Sequence, residues 1–542
     1  MHQARLIGLL GLAFASACPA PALAEAAPAT AWTICTEAPK RACVLDQARH
    51  LAQSIARVHA LQSVAQAQAK AGLRKQAVAT FDLAFRTAQS TTDGESRASK
   101  LISIAKAQAA AGLSEAGATL DEALRVTRSI DFDMSREDLL SSIALMRADD
   151  NHVAEAFELL QSIKRPWLRS KVLIAIAQSQ GRSGLTQEAA VTYRQSVQES
   201  RLRPFWAIGR SSILITIAKA QARAGLLQDA GTTLHRARRI ASSIRDEPPR
   251  FWNNLPFAGP VIMCVQALAD VAVAQAGAGL ASEGTATFER AHVIALSIDN
   301  EMDRVDALIR LADALVKADR RESAAVIADE ALQSVRSIAE EWRATMFGSI
   351  AAVQVAAGLA IEARATLDEA MVAAPSIKDE SQRALFWESI MAARLTLGDF
   401  SQAMNLTLFI ASDHSLMKAL EDLARAHLRA GHVNEALQLA NAIENRLWRS
   451  LIMGAAAEED AKAGRFPEAF ATAASIEDDT SHARALASIA VEQAKGGLTK
   501  DAMVTMDQAL HVSESIAITV WRFDLLQDVV TQLCTIAGML PE

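Results

Sequence analysis

Two helical patterns alternate along the chain. The first is apolar and alanine-rich, as in SSILITIAKAQARA from Ser211 to Ala224; the second, QDAGTTLHRARRIASSI from Gln228 to Ile244, keeps apolar residues on one face only. Both have the three-to-four-residue spacing of helices, and Gly225 between them marks a tight turn, so the pair predicts a helical hairpin. The segment Lys219 to Ala237 has a near copy at Lys106 to Ala123, and the pattern recurs about twelve times. Each first helix ends at Gly72, Gly112, Asn151, Gly184, Gly225, Gly279, Asp319, Gly358, Gly398, Gly431, Gly464 or Gly497; Gly538 is read as the start of an unfinished thirteenth unit. Gly, Asn and Asp are the residues that tolerate a left-handed backbone at a helix end.

Most anchors lie 39–41 residues apart, but the intervals 151–184, 398–431, 431–464 and 464–497 are 33. Seven residues make two helical turns, so a short second helix keeps its apolar stripe in register. Long units end in a Ser-Ile pair, as at Ser243-Ile244 and Ser376-Ile377; short ones place Ile163, Ile410, Ile443 or Ile476 earlier. Small residues recur five and twelve positions past the anchor, as at Ala77, Ala84, Ala230 and Ala237, with a bulky residue such as Phe81 or Leu234 between them. Seven before it stand Ala65, Ala105 and Ala218, and four before it Gln68, Gln108, Gln180, Gln221, Gln275, Gln354 and Gln493. These offsets resemble tetratricopeptide repeats, with glutamine where that family prefers tyrosine. The resemblance covers nearly everything after residue 45 and implies an all-α, right-handed α-solenoid of about twelve helix-turn-helix repeats, with its first helices lining a concave groove.

The start of the chain carries Arg5, an apolar run from Leu6 to Ala17 and the small-residue site Ala22-Leu23-Ala24. This predicts a signal peptide over 1–24 and a periplasmic or secreted protein. The apolar run is too short to span a bilayer, and Leu255 to Ser282, although nearly uncharged, is interrupted by Asp270 and keeps the repeat register. Cys35 and Cys43 fall in a lead-in segment over 25–44 and are candidates for one local disulfide, with two free thiols as the alternative; Cys264 and Cys534 sit in helix patterns as small hydrophobes. The repeat array then runs over 45–519, with an inserted loop at 245–260, and a capping helix follows over 520–542.

A formal charge of −7 over 542 residues excludes the basic balance of a nucleic-acid binder. The sequence holds no metal-ligand cluster, phosphate-binding glycine loop or nucleophile elbow, so no enzyme activity and no cofactor are expected. Ser103 and Lys106 mimic an acylase spacing, but Thr216 and Lys219 fill the same places in another repeat, which makes the spacing a by-product of the unit.

An arginine opens the first helix fifteen residues before the anchor in many units, among them Arg57, Arg97, Arg136, Arg169, Arg304, Arg343, Arg383 and Arg449. A cation there opposes the helix dipole, and nearby acids predict an ionic ladder between repeats, with a row of anion-binding arginines as the alternative. Trp167, Trp342, Trp448 and Trp521 lie along the same edge and are candidates for stacking on a guanidinium.

Two features stand out from the scaffold. The inserted loop brings Phe251, Trp252 and Phe257, which form an aromatic patch or cover a mismatched joint. The resemblance also places positions two and six before the anchor in the groove, where Arg182, Lys219, Arg223, Arg425 and Arg429 stand with few acids, a pattern suited to a protein or an extended acidic peptide. The function expected is an exported, non-catalytic binding scaffold. The alternatives are a structural envelope protein that self-associates through its array ends, and an accessory subunit of an envelope enzyme or an unrecognised one.

Overall fold

The computed structural model describes Cys35 and residues 39–540, apart from residue 56 and segments 201–206, 247–258, 411–412 and 517–519. Twenty-six α-helices and no strand occur among the described residues. After α1 (Arg41–Ser54), even-numbered helices from α2 (Val58–Lys70) to α24 (Asp479–Lys495) open twelve hairpins, odd-numbered helices from α3 (Arg74–Gln89) to α25 (Thr499–Ser515) complete them, and α26 spans Val520–Met539. The chain is an all-α solenoid of stacked hairpins.

All twelve anchors, including Asn151 and Asp319, have positive φ, and no other described residue does. Each closes its helix in the same way: Leu73 N–H donates to the Gln68 carbonyl at 2.9 Å and Gly72 N–H to Ala69 at 3.0 Å, a pairing repeated at Leu226 with Gln221 and Leu498 with Gln493. This is a Schellman termination, which satisfies carbonyls the helix leaves over. It also explains the glutamines: the residue four before the anchor is held at the turn with its side chain buried, and Thr80, Thr192 and Thr505 donate to Gln68, Gln180 and Gln493 Oε1 at 2.8 Å. Elsewhere the same slot takes Arg147 or Arg394, both buried and ion-paired to carboxylates of the second helices or turn.

The length classes are real. The 33-residue units carry second helices of seven to ten residues, as in α7 (Val153–Gln161) and α23 (Phe466–Ala474), whereas those of long units run from thirteen to seventeen. First helices pack on the next first helix all along the array, while second helices lie farther apart, so the even-numbered helices form the inner wall. The most apolar of them, α12 (Pro260–Gly277), is by length and composition able to cross a membrane, yet it packs between hairpins as a core helix.

The two ends of the array meet. Helix α26 packs on α1 and on α2 as a first helix packs on its partner and its neighbour, and the solenoid closes into a ring. Arg41 at the start of α1 donates to the Ala537 and Leu540 carbonyls at 3.2 and 2.7 Å, and Arg57 pairs with Asp524. Leu45, Ala48 and Ala52 of α1 and Leu525, Val529, Leu533 and Ile536 of α26 are all buried in this joint.

Four expectations change in consequence. The segment before residue 45 is not only a lead-in, because α1 begins at Arg41 and serves as a second helix: VLDQARHLAQSI at 44–55 aligns without a gap on TLDEALRVTRSI at 119–130. Helix α26 does not cap an open end, since it is the first helix of a thirteenth hairpin that α1 completes from the other terminus. Gly538 lies inside α26 and turns nothing. Among the described residues the array ends pack on each other and do not stand open, as self-association through unsatisfied ends would require.

Candidate functional site: the inner wall of the ring

The residues two before each anchor are solvent-exposed on the inner wall, and those six, nine and thirteen before it, which share the same stripe at helical spacing, are exposed or half-exposed apart from the buried Ala175. Sequence reading by resemblance found the first two positions and missed the others, although their 3.6-residue period was visible. The additional residues include Lys171, Lys418, Asp270, Asp422 and Asp528.

Ion pairing divides the five groove candidates. Arg182 reaches Asp149 of the preceding hairpin at 3.2 Å, and Arg425 is held by Glu421 at 2.7 Å. Lys317 and Lys462 are likewise taken by Asp313 and by Glu458 and Glu459, and the two carboxylates push the Lys462 ammonium above its usual range. Lys219, Arg223 and Arg429 make no side-chain hydrogen bond or ion pair among the described residues.

The distribution around the wall is uneven. On α8 (Pro166–Arg182) and α10 (Ala207–Arg223) the inner positions carry Lys171, Arg182, Lys219 and Arg223 and no acid. Past this sector stands Asp270 on α12, whose carboxyl is raised by burial, with Lys317 and Lys219 opposing that shift. Solvent reaches its surface, but the curved wall surrounds it with protein. Asp422, beside Arg425 and Arg429, is raised by burial and then by Glu421. A cleft of about 530 Å³ crosses the short-unit sector, from Arg425 over Gly454 and Glu458 to Arg484 and Asp528, the last two paired at 2.9 Å.

The helix-opening arginines have a different use from the expected ladder. Arg136, Arg304, Arg383, Arg449 and Arg522 each donate to the carbonyl of the isoleucine six residues earlier, at 2.6 to 3.2 Å. That isoleucine ends the preceding second helix, so the guanidinium sits on the negative end of one helix while opening the next. Acids join irregularly: Glu199 pairs with Arg169 and Glu477 with Arg449, both at 2.9 Å. Trp167 stacks under Arg165, 5.6 Å from the ring centre, rather than under the slot arginine.

Cys35 and Cys43 are joined in a disulfide; Cys264 is buried, and burial pushes the partly exposed Cys534 thiol up to about 12. Phe251, Trp252 and Phe257 lie outside the described residues. Among the described residues no cluster of His, Cys, Asp and Glu has the arrangement of a metal site.

With the repeated Schellman turn and the paired inner and outer helices in place, the architecture is settled. The chain is a divergent helical-repeat protein built of tetratricopeptide-like hairpins. No family model and no curated protein matches it. Among solved structures it is similar to Ton1535 from Thermococcus onnurineus NA1, at 15% identity over 66% of this chain and 98% of that one, with a TM-score of 0.28. It is also similar to a circular tandem repeat protein with novel repeat topology, at 11% identity over 92% and 98% of the chains and a TM-score of 0.21. A third is the signal transduction ATPase with a tetratricopeptide repeat sensor, PH0952 from Pyrococcus horikoshii, at 12% identity over 76% and 72%, with a TM-score of 0.28. None of these likenesses bears on what the chain binds.

Proposed function

We propose that this helical-repeat protein is an exported, non-catalytic scaffold that binds an extended acidic polypeptide on its inner wall. The observation that carries the reading is the acid-free α8–α10 sector: Lys171, Arg182, Lys219 and Arg223 face one concave surface in a chain of net charge −7. Cations gathered on a concave wall focus the field and favour an anionic partner, and several charge-assisted contacts to one chain reinforce each other. The amino-terminal pattern of Arg5, Leu6 to Ala17 and Ala22-Leu23-Ala24 supports export to the periplasm, and a disulfide between Cys35 and Cys43 suits an oxidising compartment.

The test is fluorescence anisotropy with a labelled twenty-residue peptide of Glu, Asp and Ser. The expected result is binding that weakens as salt rises and drops at least tenfold in Lys219→Glu with Arg223→Glu. Arg343→Glu with Arg449→Glu, on the hairpin mouth, should retain affinity after allowance for any loss of fold. Undiminished binding by the inner-wall pair would place recognition elsewhere.

A further inference from the structure

We infer that the joint between α1 and α26 is a gate through which the ring takes in an internal segment of a polypeptide and closes around it. This rests on the inner-wall reading above and adds how the partner gets there. Thirteen first helices at about 9 Å spacing enclose a bore of about 25 Å once the helix bodies are subtracted. An extended chain fits such a bore, but a folded domain at each end of that chain does not pass through it. A closed ring therefore admits an end-blocked segment only by opening.

Only one joint can open without breaking the backbone. Twelve hairpins have a covalent turn at a left-handed anchor, and each is tied by its chain to the next. The thirteenth has no turn, because α26 and α1 come from opposite ends of the array and hold each other by non-covalent contacts. Among the described residues the joint's polar contacts include Arg41 on the last carbonyls of α26 and the Arg57 to Asp524 pair, whose side chains remain 30% and 47% exposed.

The inner side of the joint is indented. A cleft of about 620 Å³ lies between α2 and α26 on the inner side and reaches down to α1. Ser63, Gln66 and Lys70 line one side, Thr531 and Thr535 the other, and Arg41 the floor, with no carboxylate among its lining residues. Parting α2 from α26 widens this cleft, whose charged lining residues, Arg41 and Lys70, are both cationic. The packing that must separate is that of α26 with α1 and with α2, and the Cys35–Cys43 disulfide borders it at the start of α1.

The experiment compares two probes on two proteins. One probe is the acidic peptide with free ends; the other carries at each end a folded domain wider than the bore. One protein is wild type; the other is Arg57→Cys with Asp524→Cys in a Cys534→Ser background, bridged by a short bis-maleimide and checked by mass and circular dichroism. Wild type is expected to capture both probes, and the bridged ring to keep the free-ended peptide but lose the end-blocked one at least tenfold. Equal capture of the end-blocked probe by both proteins overturns the gate. If neither protein takes either peptide, the inner-wall reading has failed, and the gate is then decided by hydrogen exchange on wild type. Amides of α1 and α26 should exchange together and at least tenfold faster than those of α12; equal protection overturns the inference.

Discussion

Arg57 Nη1 lies 2.5 Å from Asp524 Oδ1, although 467 residues separate them in the chain. Neither end of an open superhelix would offer such a contact. Because both side chains are well exposed, the pair contributes at most about 1 kcal/mol and is screened by salt. Asp524→Arg should lower the urea midpoint measurably at low salt and little at high salt. Adding Arg57→Asp should restore it, and a swap that behaves no better than the single reversal would show that the two groups do not meet.

The arginines that open the first helices differ in what they leave behind when removed. Arg383 donates to the Ile377 carbonyl, so Arg383→Met should cost about 1–2 kcal/mol. Arg169 also holds Glu199, a carboxylate only 9% exposed, and Arg169→Met strands it. That loss should be larger, about 3–5 kcal/mol, and Arg169→Met with Glu199→Leu should recover much of it. Urea denaturation of the three variants checks the order.

Tyr193 is the only tyrosine, is fully buried, and its hydroxyl has no hydrogen-bond partner among the described residues. Burial pushes its phenol up to about 12. The folded state therefore favours the neutral ring, and the stability tied to it is present below about pH 10 and lost as pH rises towards about 12. Ultraviolet difference absorbance should show phenolate forming near 12 in the folded protein and near 10 in urea. Tyr193→Phe should gain about 1 kcal/mol by removing the unmatched hydroxyl.

Burial lowers the titration of His427, with repulsion from His432 adding to it, and burial lowers that of His482. Phe400 stacks on His427 with ring centres 4.4 Å apart. A histidine depressed in the fold stabilises above its ordinary value of about 6.5 and loses that contribution as pH falls through its folded value. Unfolding midpoints should drop between about pH 7.5 and about pH 5.5, and the drop should shrink in His427→Phe with His482→Leu.

The parts of the fold set by local backbone chemistry were legible in the residues. A left-handed turn leaves few choices, so Asn151 and Asp319 could be recognised beside ten glycines, and the two-turn deletions followed from spacing alone. Ring closure left a trace in the sequence too, in the match of Val44–Ile55 to Thr119–Ile130, but contact between termini depends on curvature summed over every hairpin, which no single segment encodes. The arginine slot was visible and its partner was not, because main-chain carbonyls carry no residue letter. On the inner wall, position could be read from the turn, whereas which cations are neutralised depends on side-chain reach between hairpins, as from Arg182 to Asp149.

An open solenoid can gain or lose a repeat by duplication and remain foldable, since each new unit needs only neighbours. A ring in which α1 completes the hairpin begun by α26 has a fixed census. One hairpin more or fewer would displace Asp524 from Arg57 by the width of a unit, so copy number, elsewhere the most variable trait of such arrays, is here bound to the integrity of the whole molecule.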